Sequence, residues 1–422
     1  FGAGLLMWIK GKRAMIGRDI WAAATFGFAL LLATSGFSPA SAAGLNGVEE
    51  YSEGPQTCRE CHEEQVDNWL AHGHSRKLAW GPALKALEGK FGLASGAQEG
   101  GFPLPKHDPK VYNWNNVLMI IGASKHWKTR FVGIDGYILT KGGKNQYNWQ
   151  NASWANYHKD EENKKFSCGT CHTTGYRKDG TVFSEKGFPG AIDKGVPGIA
   201  GDWAHFNITC EACHGPAAEH VDMPIPDNVK TDKSPELCGS CHTRGSDPGT
   251  VIAKGGFIRH HEQYPELIGG AHADLSCVDC HNPHLSRANG IKVAEGGRTN
   301  CENSQCHAEQ MEEFKGSLMD KAKVTCQDCH MAKVVKSAVA MGPYEGDVWS
   351  HIVKIDTGAD YQMFTEDGKA AKSALSLEYA CFRCHADADK KTYSAIENYH
   401  TIGKKKKKKK KKKKTKIKKK KK

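Results

Sequence analysis

Past residue 42 the chain has no apolar run long enough to cross a bilayer. It also lacks a phosphate-cradling loop, because the "GGKN" at 142–145 has no strand before it and no helix after it. Net positive charge is confined to the two ends. The formal +12 rests on seventeen lysines within 404–422 and a net +3 within 1–42, so residues 43–403 carry about −8. An acidic body argues against a general nucleic-acid binder.

The ends are read separately. Residues 1–42 have the form of a secretory signal peptide. Lys10, Lys12, Arg13 and Arg18 make a positive start, residues 20–32 are mostly apolar, and Ala40-Ser41-Ala42 is a cleavage site. No cysteine follows that site, which argues against a lipid anchor; left uncleaved, the segment would anchor the chain in the inner membrane. Export gives a periplasmic or extracellular location. The tail 404–422 is interrupted only by Thr415 and Ile417. Their codons each lie one base from the lysine codon AAA, so the tail is read as a sequence artefact; a real polybasic tail would bind nucleic acid or anionic lipid.

What the chain has in plenty is cysteine, sixteen residues, and none stands alone. Seven Cys-x-x-Cys-His motifs account for Cys58 and Cys61, Cys168 and Cys171, Cys210 and Cys213, Cys238 and Cys241, Cys277 and Cys280, Cys326 and Cys329, and Cys381 and Cys384. The histidines that close them are His62, His172, His214, His242, His281, His330 and His385. This is the attachment signature of haem c. Each sulfur adds to one vinyl group on a single porphyrin edge, and the histidine binds iron from one face. Zinc ribbons, redox pairs and structural disulfides also use close cysteine pairs. None of them requires a histidine directly after the second cysteine.

Cys301 and Cys306 remain, in "CENSQCH" ending at His307. The Cys-His ending is kept and the gap is wider, so it is read as an eighth attachment site, giving eight haem c. A single thioether from Cys306, or a Cys301–Cys306 disulfide, would be the alternatives. Eight haems in residues 43–403 leave about 45 residues each, too few for an apolar core around every one. The haems must then stack on one another. Seven sites fall within the 218 residues from Cys168 to His385, whereas the first precedes the second by 110. Two regions follow: 43–165 with the first haem, and 166–403 packed with seven.

Thirteen further histidines exceed the eight needed to close the irons' second faces. The distal candidates are His74, His205, His220, His260, His261, His272, His284, His351 and His400. Helices are expected at 63–69, 308–323 and 374–379. Alternation, aromatics and glycine turns at 111–157 predict a small antiparallel β element.

"CRECHEEQVDNWLAHGHS", "CGTCHTTGY", "CEACHGPAAEH", "CGSCHTRG", "HHEQYPEL", "CVDCHNPH" and "CQDCHMAK", in that order, resemble the multihaem cytochromes of the cytochrome c-554 and hydroxylamine oxidoreductase superfamily. The resemblance covers most of 50–390. It implies a multihaem cytochrome c fold, mainly α with much irregular structure wrapped around stacked haems. It also implies a cell-envelope location, and either electron carriage or redox work on inorganic nitrogen or sulfur compounds. The reductases of that superfamily often carry C-x-x-C-K at one haem, and that motif is absent here. The first expectation is therefore an electron carrier with bis-histidine haems. Its partners would be other multihaem cytochromes or a membrane quinol oxidase module, and an oligomer or filament is compatible. The alternative is an oxidoreductase with one open haem, acting on nitrite, hydroxylamine or a sulfur oxyanion such as tetrathionate.

Overall fold

Why a chain this rich in glycine and short motifs holds together is visible in a computed structural model. It describes residues 50–81, 102–178, 196–245, 247–285, 301 and 306–404. The leader, the lysine tail and residues 302–305 inside the wide motif lie outside the described residues.

Helices are short. Glu63–Ala71 is the longest among the described residues; it opens with Glu63 and Glu64, buries Val66, and docks Trp69 Nε1 on the Ile208 carbonyl at 2.7 Å. The helix expected at 308–323 is two pieces, Ala308–Phe314 and Leu318–Lys321. Gly316, at φ +80°, breaks it, and the Ser317 hydroxyl caps the second piece by accepting the Asp320 N–H. The helix expected at 374–379 starts later. Leu375 makes a β-bridge with Ile355, and a π-helical turn then runs through Glu378–Phe382.

Three sheets give the fold more strand than the sequence promised. The first holds β1 (Leu78–Trp80), β2 (Val117–Ile121), β3 (Lys128–Gly133), β4 (Gln146–Asn148) and β5 (Ser153–Ala155), antiparallel in that order. β2 reads VLMII and is buried along its whole length, as a central strand with both faces covered should be. β6 (Thr173–Thr174) and β7 (His205–Phe206) pair beside the second motif. The last sheet runs β10-β9-β8-β11, from β8 (Val251–Lys254), β9 (Phe257–Arg259), β10 (Val335–Lys336) and β11 (Ala370–Ala371).

The apolar core sits on these sheets. Met119, Phe166 and Trp203 centre one cluster, Phe131 and Ile120 another, and Ile258, Ile352 and Leu375 a third. The segment of the fifth motif differs: no residue from 269 to 285 is buried. It lies outside the clusters that the sheets carry.

Candidate haem centres

Each three-residue Cys-to-Cys step folds as one helical turn. The histidine N–H donates to the first cysteine's carbonyl at 2.9 Å in His62, His214, His242 and His281, and at 3.0 Å in His385. That turn places both sulfurs on one side, with the imidazole on the next residue. Asp279 and Asp328 complete capping boxes with Ser276 and Thr325 in front of two of the turns. All sixteen cysteines, Cys301 and Cys306 included, are free of disulfides.

The imidazoles are aimed from behind. His214 Nδ1 meets the Lys230 carbonyl at 2.8 Å, His330 Nδ1 meets that of Val353 at 2.8 Å, and His242 Nδ1 meets Gln263 Oε1 at 3.2 Å. A hydrogen bond at Nδ1 fixes the ring and leaves Nε2 with its lone pair for a metal. Burial works the same way. It pushes His172 down to about 4 and His351 down to about 3, and lowers His242, His281 and His330, so these rings are neutral at neutral pH.

Six of the eight motif histidines face a second imidazole across a gap. Ring centres lie 6.4 Å apart for His62–His220, 6.1 Å for His214–His284, 6.2 Å for His281–His351, 6.0 Å for His307–His272 and 6.1 Å for His330–His400. His242 faces two rings, His261 at 6.1 Å and His74 at 6.3 Å. Metal–imidazole bonds of about 2.0–2.1 Å, plus about 1.1 Å from each nitrogen to its ring centre, require about 6.2 Å across one metal. The spacing fits one iron between each pair. Among the described residues no three or more His, Cys, Asp or Glu side chains converge as a metal cage.

Two distal candidates have their Nε2 engaged elsewhere. His205 Nε2 lies 2.8 Å from Glu211 Oε2 in a buried pair, with Tyr51 edge-on to the ring at 6.0 Å. His260 Nε2 lies 3.3 Å from Lys128 Nζ and 3.2 Å from Arg244 Nη1, so its lone pair points at two cations. Those contacts occupy the nitrogen that each ring would offer to an iron.

His172 and His385 have no facing imidazole at that spacing among the described residues, which include every histidine. His385 packs against the Tyr393 ring at 5.6 Å. His172 is deeply buried; its Nδ1 makes no hydrogen bond of good geometry, although the Lys77 backbone is close to it. Around its motif lies a cluster of cations that no local sequence pattern announces. Lys128 and Arg130 act on His172, and Arg130 and Arg244 act on Cys168. Arg130 is held by Gln146 Oε1 at 2.9 and 2.7 Å and stacks on Tyr157 at 3.5 Å. Burial and these neighbouring cations pull Lys128 down to about 7.

The attachment edges also abut. The thiols of Cys58 and Cys210, Cys171 and Cys241, and Cys238 and Cys277 are close enough to share hydrogen bonds. Cys329 feels Cys384, and His330 feels both His307 and His272.

With that geometry in view, the comparisons agree on a class. Residues 57–89 and 139–215 match the family described as cytochrome c554 and c-prime. Multiheme cytochrome MtrA of Shewanella baltica (strain OS185) is 27% identical over 175 residues, which is 39% of this chain and 44% of that protein. The chain thus spans less than half the length of this curated relative. Among solved structures, the outer cell wall cytochrome OcwA superposes with TM-score 0.50 at 19% identity, over 82% of this chain and 85% of that one. The octaheme sulfite reductase MccA of Wolinella succinogenes gives 0.50 at 16% identity, over 84% and 69%. At such identities the likeness is one of fold. The chain is a multihaem c-type cytochrome.

Proposed function

We propose that the protein is an octahaem electron-transfer cytochrome of the cell envelope. Haem c supplies the one-electron chemistry; the chain supplies attachment, axial nitrogen and spacing. The observation that carries the reading is the set of six imidazole pairs at 6.0–6.4 Å. Two neutral nitrogen ligands hold iron six-coordinate in both oxidation states, which suits electron exchange without substrate binding. Contacts between motifs link the first site to the third, the third to the fourth, the fourth to the second and fifth, and the seventh to the eighth, with the sixth joined to the seventh through His307 and His272. The proposed location is periplasmic or extracellular, in keeping with a relative described as an outer cell wall cytochrome. Other multihaem cytochromes or a membrane quinol oxidase module are the proposed partners. Mass spectrometry of the mature protein tests the count: seven added haems would remove the site at Cys301–Cys306.

A second reading rests on His172. Its haem would have no imidazole on the far face, and Lys128, Arg130 and Arg244 would favour a small inorganic anion there. Nitrite or a sulfur oxyanion such as tetrathionate fits that charge, and hydroxylamine fits the size. Electron paramagnetic resonance of the oxidised protein separates the readings. A high-spin signal that moves on adding nitrite or sulfite supports an open haem; only low-spin signals, unchanged by either, support a pure carrier.

A further inference from the structure

The last two motifs are joined by one side chain that attachment chemistry does not need. Arg383 is an interior residue of the eighth motif, Cys381-Phe382-Arg383-Cys384, and its side chain is only 9% exposed. Its guanidinium reaches into the seventh motif. Nη2 lies 2.8 Å from the Asp328 backbone oxygen and 3.3 Å from Asp328 Oδ1. Nη1 lies 3.4 Å from Glu345 Oε1, and the Trp349 ring covers the group at 5.9 Å.

Asp328 is already committed to its own turn. Its Oδ2 accepts the Thr325 N–H at 2.8 Å and the Thr325 hydroxyl at 2.7 Å, closing the capping box before Cys326. Arg383 therefore does not grip a loose side chain. It grips the element that sets the direction of Cys326, Cys329 and His330.

We propose that Arg383 is a positioning residue for electron transfer. Its guanidinium clamps the seventh haem site to the eighth, and its charge holds both haems at a higher reduction potential than they would otherwise have. The inference rests on haem attachment at these two motifs. The physical argument is short. Reduction adds one negative charge at iron, and a fixed cation nearby favours that state. Guanidinium keeps its charge, and burial strengthens the interaction. The planar fork also fixes geometry in a way that an ammonium cannot. With haem attached, the exchange between the two sites would be of one electron, with Arg383 fixing the separation and charge of the two motifs.

The test is a spectroelectrochemical titration of the full haem-loaded protein and three variants, with haem counted by mass. In R383Q two haems are expected to titrate at more negative potential while the others keep theirs. R383K, which keeps the charge, should return those two towards the parent values. D328N removes a carboxylate and should move the same two the opposite way. Parent-like titration of fully loaded R383Q overturns the proposal. So does an even shift of every haem, or R383K behaving as R383Q. If R383Q does not load, D328N decides, and unchanged potentials there overturn the proposal. Absence of haem at either motif in the parent protein would instead defeat the attachment reading, whatever Arg383 does.

Discussion

Glu211 shows how one residue inside a haem motif can serve the fold. Its carboxylate accepts the Ser52 N–H at 2.7 Å and the Ala217 N–H at 2.9 Å, and faces His205. Burial works to raise its pKa, but these hydrogen bonds outweigh it and hold the carboxyl below its usual value. The stabilisation is present above the unfolded value, about 4.3, and is lost as pH falls through the lower folded value. E211Q should cost about 2–3 kcal/mol at pH 7. The gap in melting temperature between E211Q and the parent should close in acid; a gap independent of pH would refute the assignment. Glu266 has the opposite sign. It is fully buried, accepts the His351 N–H, and leaves Oε1 without a partner. Burial pushes it up to about 8. Stability is whole below the unfolded value and falls as pH rises towards 8. E266Q should therefore match the parent near pH 4 and exceed it near pH 9 by a few kcal/mol, on the order set by about 1.4 kcal/mol per pKa unit. Thermal melts of both proteins at the two pH values check this.

At the scale of elements, the motif turns were legible because covalent chemistry dictates them. A Cys-x-x-Cys-His run must bring two sulfurs to one edge, and one helical turn does so. The helix expected at 63–69 is present and runs two residues further, Glu63–Ala71. The β8–β9 hairpin was missed, although "VIAKGGFIR" carries its signal: two short strands around Gly255-Gly256, both at positive φ. In G256A the new Cβ would sit 3.3 Å from Tyr379 Oη on a backbone that side chains avoid. The substitution should cost about 1–2 kcal/mol, read from the denaturant midpoint. The break at Gly316 was missed, although a glycine followed by Ser317, with Asp320 three residues on, is a local stop-and-restart signal; the late start of the turn at 378 was not legible, because it depends on the bridge between Leu375 and Ile355. The distal ligands lie in between. A histidine excess announced that partners exist, but only tertiary contacts show that His400 faces His330 while His205 faces a carboxylate. The cations around His172 come from β3 and from Arg244, more than a hundred residues apart in sequence, which no local pattern links.

For the whole molecule, charge and core are divided. The sheets carry the apolar clusters; the segment around the fifth motif has no buried residue, whereas the eighth motif runs out of the buried stretch that holds Leu377, Tyr379 and Phe382. The body between the two ends is acidic, about −8. Encounter with a cationic electron donor should then be steered by that field and screened by salt. Stopped-flow reduction by a positively charged mediator should slow as ionic strength rises from 10 to about 150 mM, where the Debye length falls to about 8 Å. An anionic mediator should show the reverse trend. Equal rates for both at every ionic strength would show that the surface field plays no part in partner approach.

The facing histidine rings differ in twist. Their planes meet at 5° in His214–His284 and 16° in His62–His220, but near 40° in His307–His272, His281–His351 and His330–His400. Aligned ligand planes split the two iron orbitals that overlap them, and crossed planes bring those orbitals towards equal energy. Ferric haems held by these pairs would therefore give distinct magnetic spectra. The protein would carry its own labels, so the filling of the two sites with aligned rings could be told from that of the three twisted ones without altering a residue.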